Sequence, residues 1–191
     1  MQSLLTKAKN VKLLVMDVDG VLSDGKIIYD ANSVETKGFN VQDGFGIQRI
    51  HQAGIQTAII TGRTSDIVTH RAKELKITHL VQGREDKLTA LNELLANIGI
   101  SLAECAYIGD DWPDIKALQS VGFAAAVANA NGEVIKRVDM VTTRSGGQGA
   151  LQLHRLRGVP SPQPGVQGQL RHLPRRPAAD RRYRRFHHNG S

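Results

Sequence analysis

Short apolar runs alternate with longer amphipathic stretches along the first 150 residues of the chain. Apolar runs of this length, bounded by turn residues, are typical of strands buried in a parallel sheet. They predict strands at 13–16, 57–60, 79–81, 105–108, 123–127 and 140–141. Strands that alternate with helical stretches at this spacing form βαβ units. We therefore expect an α/β fold with a mostly parallel sheet.

The stretches between these runs carry apolar residues at helical spacing. They predict helices at 43–54, 66–75, 86–98, after Pro113, and at 131–136. The apolar face of the first helix would consist of Phe45, Ile47, Ile50 and Ala53. Residues 1–12 are expected to form a short polar lead-in.

One segment interrupts the α/β pattern. Two short β-prone runs, at 26–30 and 34–40, flank an Asp-Ala-Asn-Ser turn and predict a hairpin insertion. A lone two-stranded hairpin is only marginally stable in water. We therefore expect it to pack against other structure, which could be a second subunit.

Polar side chains follow several of the predicted strands. Asp17 and Asp19 come directly after the first strand, Thr61 follows the second, and Lys87 precedes the 86–98 helix. The strand at 105–108 is followed by the carboxylates Asp110, Asp111 and Asp114. Each feature alone is explained equally well by a turn or a helix cap. Because ligands bind outside the carboxyl ends of parallel strands, the features together predict a site at that edge of the sheet.

These side chains suit phosphoryl transfer. Several converging carboxylates repel one another unless a cation neutralises them, and oxygen-only ligands favour Mg²⁺. One aspartate can attack phosphorus and form an aspartyl-phosphate, while a second protonates the leaving oxygen and then deprotonates the attacking water. Donors such as Thr61 and Lys87 can stabilise the phosphoryl oxygens.

The set DVDGV (17–21), ITGR (60–63), Lys87 and GDDWPD (109–114) resembles the four motifs of the haloacid dehalogenase-like phosphotransferases. The match covers residues 11–150. It implies a three-layer, Rossmann-like fold with the active site at the carboxyl ends of the strands.

Three further segments resemble the 3-deoxy-D-manno-octulosonate 8-phosphate (KDO 8-phosphate) phosphatases: FNVQDGFGI (39–47), GREDK (83–87) and GGQGA (146–150). That family has no cap domain, and its members release phosphate from the sugar acid used in lipopolysaccharide. The resemblance implies a cytoplasmic, Mg²⁺-dependent phosphoric monoester hydrolase. It also implies a homotetramer in which the hairpins build the centre and a neighbouring chain closes each site.

The resemblance also implies roles for individual residues. Asp17 would be the nucleophile and a Mg²⁺ ligand, and Asp19 the general acid and base, with its backbone carbonyl on the metal. Thr61 and Lys87 would hold the phosphoryl group. Asp110 would ligate Mg²⁺ with support from Asp111. The substrate would contact Asp19, Asn40, Val41, Gln42, Asp43, Gly44, Arg63, Arg71 and Lys87.

Two features depart from the family pattern. Gln48 stands where a basic residue is usual, which would weaken substrate binding or alter its selectivity. After Ala150 the family continues into a helix and a tail that reaches the neighbouring site, and residues 151–191 of this chain do not resemble that segment. We therefore place the phosphatase domain at 1–150 and carry no family role beyond it.

Composition changes sharply at this boundary. Residues 151–191 hold nine arginines, no lysine and a single acid, Asp180, so the net charge of +7 belongs to the tail. Apolar residues in this segment follow no sustained helical or strand periodicity, and the segment is expected to be disordered. An arginine-rich arm could bind nucleic acid. Coding bias in a tail that is not native to the protein explains the many arginines and the missing lysines better than nucleic-acid binding does. We therefore expect no nucleic-acid partner.

The remaining composition favours the cytosol. A single cysteine, Cys105, excludes an intramolecular disulfide and fits a reducing compartment. We expect no membrane partner, because no apolar run is long enough to span a bilayer and the first residues lack a secretory signal.

Two other functions stay open at this point. One is a related phosphatase that acts on another sugar-acid phosphate, such as a sialic-acid-type 9-phosphate. The other is a non-catalytic tetramerisation domain, which would not need to keep both Asp17 and Asp19.

Overall fold

The computed structural model describes residues 4–152. The strands of this part are β1 (Leu13–Met16), β2 (Ile28–Tyr29), β3 (Glu35–Thr36), β4 (Gln56–Ile60), β5 (His79–Val81), β6 (Cys105–Gly109), β7 (Phe123–Ala126) and β8 (Met140–Val141). The helices are α1 (Leu4–Lys9), α2 (Val41–Gln52), α3 (Asp66–Glu74), α4 (Lys87–Ile98), α5 (Ile115–Ser120) and α6 (Gly132–Ile135). Short 3₁₀ turns lie at Leu102–Glu104 and Trp112–Asp114.

Six strands form one sheet in the order β5-β4-β1-β6-β7-β8, and every neighbouring pair is parallel. All four residues of β1 are buried, because β1 is flanked on both sides and covered on both faces. The chain runs from β1 outward to one edge through β4 and β5, and then returns to fill the other side. The direction of winding therefore reverses beside β1, and a crevice at such a point is where this architecture binds ligands.

The register brings three strand ends to one level. Met16 pairs with Ile59 on one side and with Ile108 on the other. Asp17, the next residue, is still held by its N–H, which donates to the carbonyl of Ile108 at 3.1 Å. The residues that follow β1, β4 and β6 therefore emerge at the same edge.

The predicted α/β fold with a mostly parallel sheet is confirmed, as is the antiparallel hairpin of β2 and β3. The polar lead-in predicted for 1–12 was wrong, because Leu4–Lys9 is a helix that buries Ala8. The predicted apolar face of α2 also needs correction. Ile47 and Ile50 are buried, but Phe45 is 56% exposed, and its ring lies below the guanidinium of Arg49.

The end of the described chain is tied to the start of α2. Leu151, one residue past the predicted domain boundary, is buried in the main core. Its N–H donates to the carboxylate of Asp43 at 2.8 Å, and a Cβ on Gly46 would come within 2.3 Å of its carbonyl oxygen. The predicted disorder of the tail falls, from residue 153 onward, outside the described residues. No helix within the described range is long and apolar enough to cross a membrane.

Candidate active site

The site is built around Asp17, which leaves the end of β1 with its side chain almost fully buried. Its Oδ1 accepts a 2.7 Å hydrogen bond from the N–H of Val18, and its Oδ2 lies 2.7 Å from the ammonium of Lys87. The backbone and one cation therefore fix both oxygens of this carboxylate. Asp17 thus lies at the carboxyl end of β1, the edge of the sheet at which the sequence predicts a site.

Lys87 is the first residue of α4 and its side chain is only 5% exposed. Its ammonium also lies 2.7 Å from Oδ1 of Asp114, which accepts a further hydrogen bond from the hydroxyl of Tyr107 at 2.9 Å. Burial alone lowers the pKa of Lys87, but the charges of Asp17 and Asp114 outweigh it, and the pKa is raised. Lys87 is therefore a permanent cation held between two carboxylates.

Asp114 belongs to this cluster, and the sequence predicts its position but assigns it no role. It is fully buried, and its Oδ2 accepts hydrogen bonds from the N–H groups of Asp110 and Asp111 at 3.1 and 3.3 Å. It thus shapes the loop after β6 and orients Lys87. Its spacing, one turn after Asp110 and beside a Pro at the first helical position, is the signal that could have identified it.

Two glycines allow the acidic groups to approach one another. A Cβ on Gly20, which has a φ of 93°, would lie 2.0 Å from Oδ2 of Asp110. A Cβ on Gly109 would lie 2.5 Å from the carboxylate carbon of Asp114. Both positions require glycine because any larger residue would displace a carboxylate of the cluster.

Carboxylate oxygens of Asp17, Asp110 and Asp114 lie within 4.8 Å of one another. Oδ1 of Asp110 is buried and has no hydrogen-bond partner among residues 4–152. Burial first, and then the charge of Asp114, raise the pKa of Asp17 to about 6. Burial, and then the charges of Asp17 and Asp114, raise the pKa of Asp110 to about 7. An all-oxygen cluster with an unpaired buried acceptor fits a hard divalent cation such as Mg²⁺.

These shifts predict that the metal-free protein loses stability as the pH rises. A carboxyl group with a raised pKa binds more protons in the folded than in the unfolded chain, so the unfolding free energy falls between its ordinary pKa and its raised one. For Asp17 and Asp110 that interval runs from 3.8 to about 6 and about 7. We expect the thermal unfolding midpoint, measured in EDTA, to decrease as the pH is raised from 5 to 8. Mg²⁺ should reduce this decrease.

The matched control is Asp110→Asn, which should show a smaller fall over the same range. This comparison is needed because burial lowers the pKa of His51 and His79, and those groups change stability in the opposite direction. A wild-type unfolding midpoint that decreases no more steeply with pH than that of Asp110→Asn would show that the carboxylate of Asp110 does not lower the stability.

A cavity of about 580 Å³ opens beside Asp17. It is lined by Asp17, Asp19, Thr61, Gly62, Arg63, Glu85, Lys87 and Pro113. The structure therefore brings together four residues predicted for catalysis and the predicted substrate contact Arg63. Asp111 is exposed and lies outside the group of three close carboxylates.

Asp19 lies on the rim of this cavity, and its contacts come from a source that the sequence did not indicate. Its Oδ1 lies 2.5 Å from the ammonium of Lys37, the residue after β3, and 3.3 Å from the hydroxyl of Ser23. Glu35 of the same hairpin pairs with Arg63 at 2.9 Å. The hairpin thus contacts the site of its own chain through two ion pairs.

The predicted substrate loop, 40–44, lies outside the lining of this cavity. Asn40 caps α2 by accepting from the N–H of Gln42, and its side-chain amide donates to the carbonyl of Gly147. Gln42 in turn accepts a hydrogen bond from Arg144. Val41 is 81% exposed and, with Gly44, lies in the first turn of α2.

Asp43 has a different environment from the one expected of a residue that contacts sugar hydroxyls. It is buried, and its two oxygens accept hydrogen bonds from the N–H groups of Gly149 and Leu151. Burial raises its pKa despite these bonds. Asp43 therefore ties the end of the described chain to α2, and because each of its oxygens accepts only one of these hydrogen bonds, its contact with the sugar acid stays a prediction.

Arg71 lies on α3 close to the same loop. Its guanidinium donates to Glu74 at 3.1 Å and to the carbonyl of Asn40 at 3.5 Å, and it stacks 5.6 Å from the ring centre of Phe39. Its Nε is buried and has no hydrogen-bond partner within the described part of the chain. The guanidinium therefore keeps an unused donor.

Known proteins share this arrangement. Residues 76–152 match the family model of the haloacid dehalogenase-like hydrolases. The chain is 46% identical over 148 residues to the KDO 8-phosphate phosphatase of Escherichia coli K12, a match that covers 78% of this chain and 79% of that protein. The corresponding enzyme of Yersinia pestis is 44% identical over the same length.

The chain is also similar to solved structures. The crystal structure of the KDO 8-phosphate phosphatase from Moraxella catarrhalis, in complex with magnesium, phosphate and KDO, is 53% identical and superposes with a TM-score of 0.76. The match covers 78% of this chain and 86% of that one. The cobalt-bound phosphatase from Haemophilus influenzae is 41% identical, with a TM-score of 0.73 over 76% of this chain and 85% of that one.

These matches, on a parallel sheet with Asp17, Lys87 and a carboxylate cluster at one edge, make the chain a haloacid dehalogenase-like hydrolase. Within that class, the identity to curated members over more than two thirds of their length is decisive. The chain belongs to the KDO 8-phosphate phosphatase family.

Proposed function

We propose that this chain hydrolyses KDO 8-phosphate to KDO and inorganic phosphate in a Mg²⁺-dependent reaction. One observation carries the proposal. The carboxylate of Asp17 is buried at the carboxyl end of β1, fixed by the N–H of Val18 and by Lys87, and it lines a cavity of about 580 Å³. A carboxylate held in this way is a preorganised nucleophile for a phosphate monoester.

In the first step, a carboxylate oxygen of Asp17 attacks phosphorus and the bond between phosphorus and the sugar oxygen breaks. The product is an aspartyl-phosphate on Asp17 and the free sugar acid. Lys87 and the hydroxyl of Thr61, both buried in the cavity lining, are placed to donate to the phosphoryl oxygens as negative charge builds there.

Asp19 supplies the proton that the departing sugar oxygen takes up. In the second step it accepts a proton from the water that attacks the aspartyl-phosphate, so phosphate leaves and Asp17 is regenerated. Asp19 suits this exchange because its side chain is 24% exposed and reaches both the cavity and solvent.

The residues that would hold Mg²⁺ are Asp17, Asp110 and the backbone carbonyl of Asp19, with Asp111 as an exposed neighbour. The unpaired Oδ1 of Asp110 supports this assignment. When bound, the cation offsets the negative charge of the phosphoryl group and of the carboxylates. In this proposal Asp114 orients Lys87 and the loop of Asp110 and does not contact substrate.

The sugar-acid portion is proposed to contact Arg63, Arg71 and the loop at 40–44. A guanidinium suits a sugar carboxylate because it offers paired N–H donors. Asn40 and Gln42 offer amide groups for hydroxyls. Gln48, where a cation is usual, lies exposed beside Gly44 on a second cavity of about 460 Å³, which His51 and Lys76 also line.

Arg71→Ala is predicted to raise KM for the sugar-acid phosphate about tenfold or more while changing KM for an aryl phosphate little. The reason is that the unused Nε–H and the stacked guanidinium suit a carboxylate that an aryl phosphate lacks. Steady-state kinetics with both substrates measures this. Arg84→Ala, which removes an exposed arginine paired with Glu93, is the matched control. Equal increases in KM for both substrates would show that Arg71 does not bind the carboxylate.

The oligomer is proposed to be a homotetramer located in the cytoplasm. The hairpin supports this, because Ile27, Ile28, Tyr29 and Val34 are each about half exposed, so that a monomer leaves these apolar side chains in water. Light scattering of the full chain tests the assembly. A monomer at micromolar concentration would contradict it.

The alternative function is hydrolysis of a sialic-acid-type 9-phosphate. It is distinguished from hydrolysis of KDO 8-phosphate by comparing kcat/KM for the two sugar-acid phosphates and for simple hexose phosphates. We expect kcat/KM for KDO 8-phosphate to exceed kcat/KM for each of the other substrates by at least tenfold. Preference for the nine-carbon substrate would support the alternative, and Gln48 would then be the first residue to examine.

A further inference from the structure

Lys37 is a charged residue near the site to which neither the motifs nor the proposed mechanism assigns a role. It follows β3 in the hairpin, and its side chain is only 1% exposed. Its ammonium lies 2.5 Å from Oδ1 of Asp19 and 3.2 Å from Oε1 of Glu35. A buried ammonium is costly unless it is paired, and here two carboxylates pair with it.

The contacts of Lys37 continue into the cavity lining. Oε1 of Glu35 also accepts from the guanidinium of Arg63 at 2.9 Å. Asp19, Lys37, Glu35 and Arg63 therefore form a row of alternating charges that joins the hairpin to the rim of the cavity. The row has no net charge, so the buried ammonium of Lys37 is neutralised, while Asp19, Glu35 and Arg63 stay partly exposed.

Lys37 also differs from Lys87 in what it can reach. Lys87 lies 2.7 Å from Asp17 and from Asp114, and within residues 4–152 it forms no ion pair with Asp19. In the described part of the chain, Lys37 is the cation that forms an ion pair with Asp19. Both hydrogen bonds found for this carboxylate, from Lys37 and Ser23, fall on Oδ1. They fix the plane of the carboxylate while Oδ2 is left for proton transfer.

We propose that Lys37 is a positioning residue that holds the Asp19 carboxylate in the orientation needed for general acid–base catalysis. This inference rests on the proposed function, because it assigns Lys37 to the proton-transfer steps of that reaction. It also gives the hairpin a second role, since one of its residues completes the site of its own subunit.

The test uses two leaving groups. The alkoxide of a sugar phosphate needs protonation as it leaves, whereas p-nitrophenolate is a good leaving group that needs little. The ratio kcat/KM reports the steps through release of the first product, so it isolates the step in which Asp19 acts as an acid. A defect in positioning that acid therefore slows the sugar phosphate selectively.

We expect Lys37→Met to lower kcat/KM for KDO 8-phosphate about 100-fold and for p-nitrophenyl phosphate less than about fivefold, in line with the usual contribution of a general acid. Lys37→Arg should recover part of the loss. Lys26→Met is the matched control, because Lys26 lies just before the hairpin strands and pairs with Asp24 in solvent. Light scattering of each variant shows whether assembly is unchanged.

Equal losses with both substrates, or no loss with either, would overturn the proposal. Crystal structures of Lys37→Met and wild type give a readout that does not depend on activity. We expect the Asp19 carboxylate to turn in Lys37→Met and to keep its orientation in Lys37→Arg, and an unchanged Asp19 in Lys37→Met would refute the inference. Failure of the proposed function is distinguishable, because the wild-type chain itself would then fail to hydrolyse KDO 8-phosphate.

Discussion

Asp17→Asn is expected to reduce phosphate release from KDO 8-phosphate to less than about 1% of the wild-type rate. An amide is a poor nucleophile, so the aspartyl-phosphate cannot form, and the loss of a negative charge also weakens the cation site. The substitution is nearly isosteric. The contact of Oδ1 with the N–H of Val18 can be kept by the amide oxygen, so the fold should survive.

The measurement is kcat at saturating Mg²⁺, with circular dichroism and the unfolding midpoint as checks on the fold. Asp66→Asn is a matched control, because Asp66 is an exposed carboxylate in the first turn of α3. A folded Asp17→Asn protein that keeps more than about 1% of the activity would rule out a nucleophilic role for Asp17.

Lys87→Met is expected to have the second largest effect. It should lower both the free energy of unfolding and the turnover rate. It removes the cation that lies between Asp17 and Asp114 and leaves three close carboxylates, including Asp110, without it. Removing one partner of a buried ion pair typically costs about 3–5 kcal/mol of unfolding free energy. For a domain of this size that corresponds to a fall in the unfolding midpoint of about 10 °C.

Thermal unfolding in EDTA and in Mg²⁺ measures this effect. Mg²⁺ should stabilise Lys87→Met more than wild type, because the cation offsets part of the missing charge. Lys73→Met, on the exposed surface of α3, is the control and should change the midpoint by no more than about 1–2 °C. If Lys87→Met unfolds at the wild-type temperature and keeps its turnover, the ion pairs seen around Lys87 contribute neither stability nor catalysis.

The strands and the position of the site could be predicted because both depend on short-range patterns. The first two apolar runs end directly in Asp17 and Thr61, and Asp110 follows Gly109 after the run at 105–108. The topology of a parallel sheet brings such strand ends together. Asp17, Thr61 and Lys87 could therefore be placed at one edge of the sheet before any coordinates were known. The cavity lining agrees with that placement.

Contacts across long stretches of chain were harder to foresee. Lys37 reaches Asp19 from 18 residues away, and nothing in the hairpin sequence shows which of its charged residues faces inward. The link between Asp43 and Leu151 spans 108 residues, and the family resemblance, which implies a substrate contact for Asp43, gives no sign of it. In both cases the contact depends on which charged side chains are buried, and the sequence alone does not show that.

Helix α2 illustrates the same limit for apolar residues. Helical spacing placed Phe45 with Ile47 and Ile50, yet Phe45 is exposed and the other two are buried. Spacing defines which positions can share a face, but the width of the covered stripe depends on the neighbouring elements. That Phe45 is exposed, with its ring beneath the guanidinium of Arg49, is therefore seen only in the structure.

The most direct test of the central claim is the rate of phosphate release from KDO 8-phosphate by the full 191-residue chain, measured with Mg²⁺ and again after the metal is removed with EDTA. The account predicts rapid turnover with Mg²⁺, loss of at least about 99% of it in EDTA, and recovery when Mg²⁺ is restored. Absence of phosphate release in the presence of Mg²⁺, or equal release with and without the metal, would contradict it.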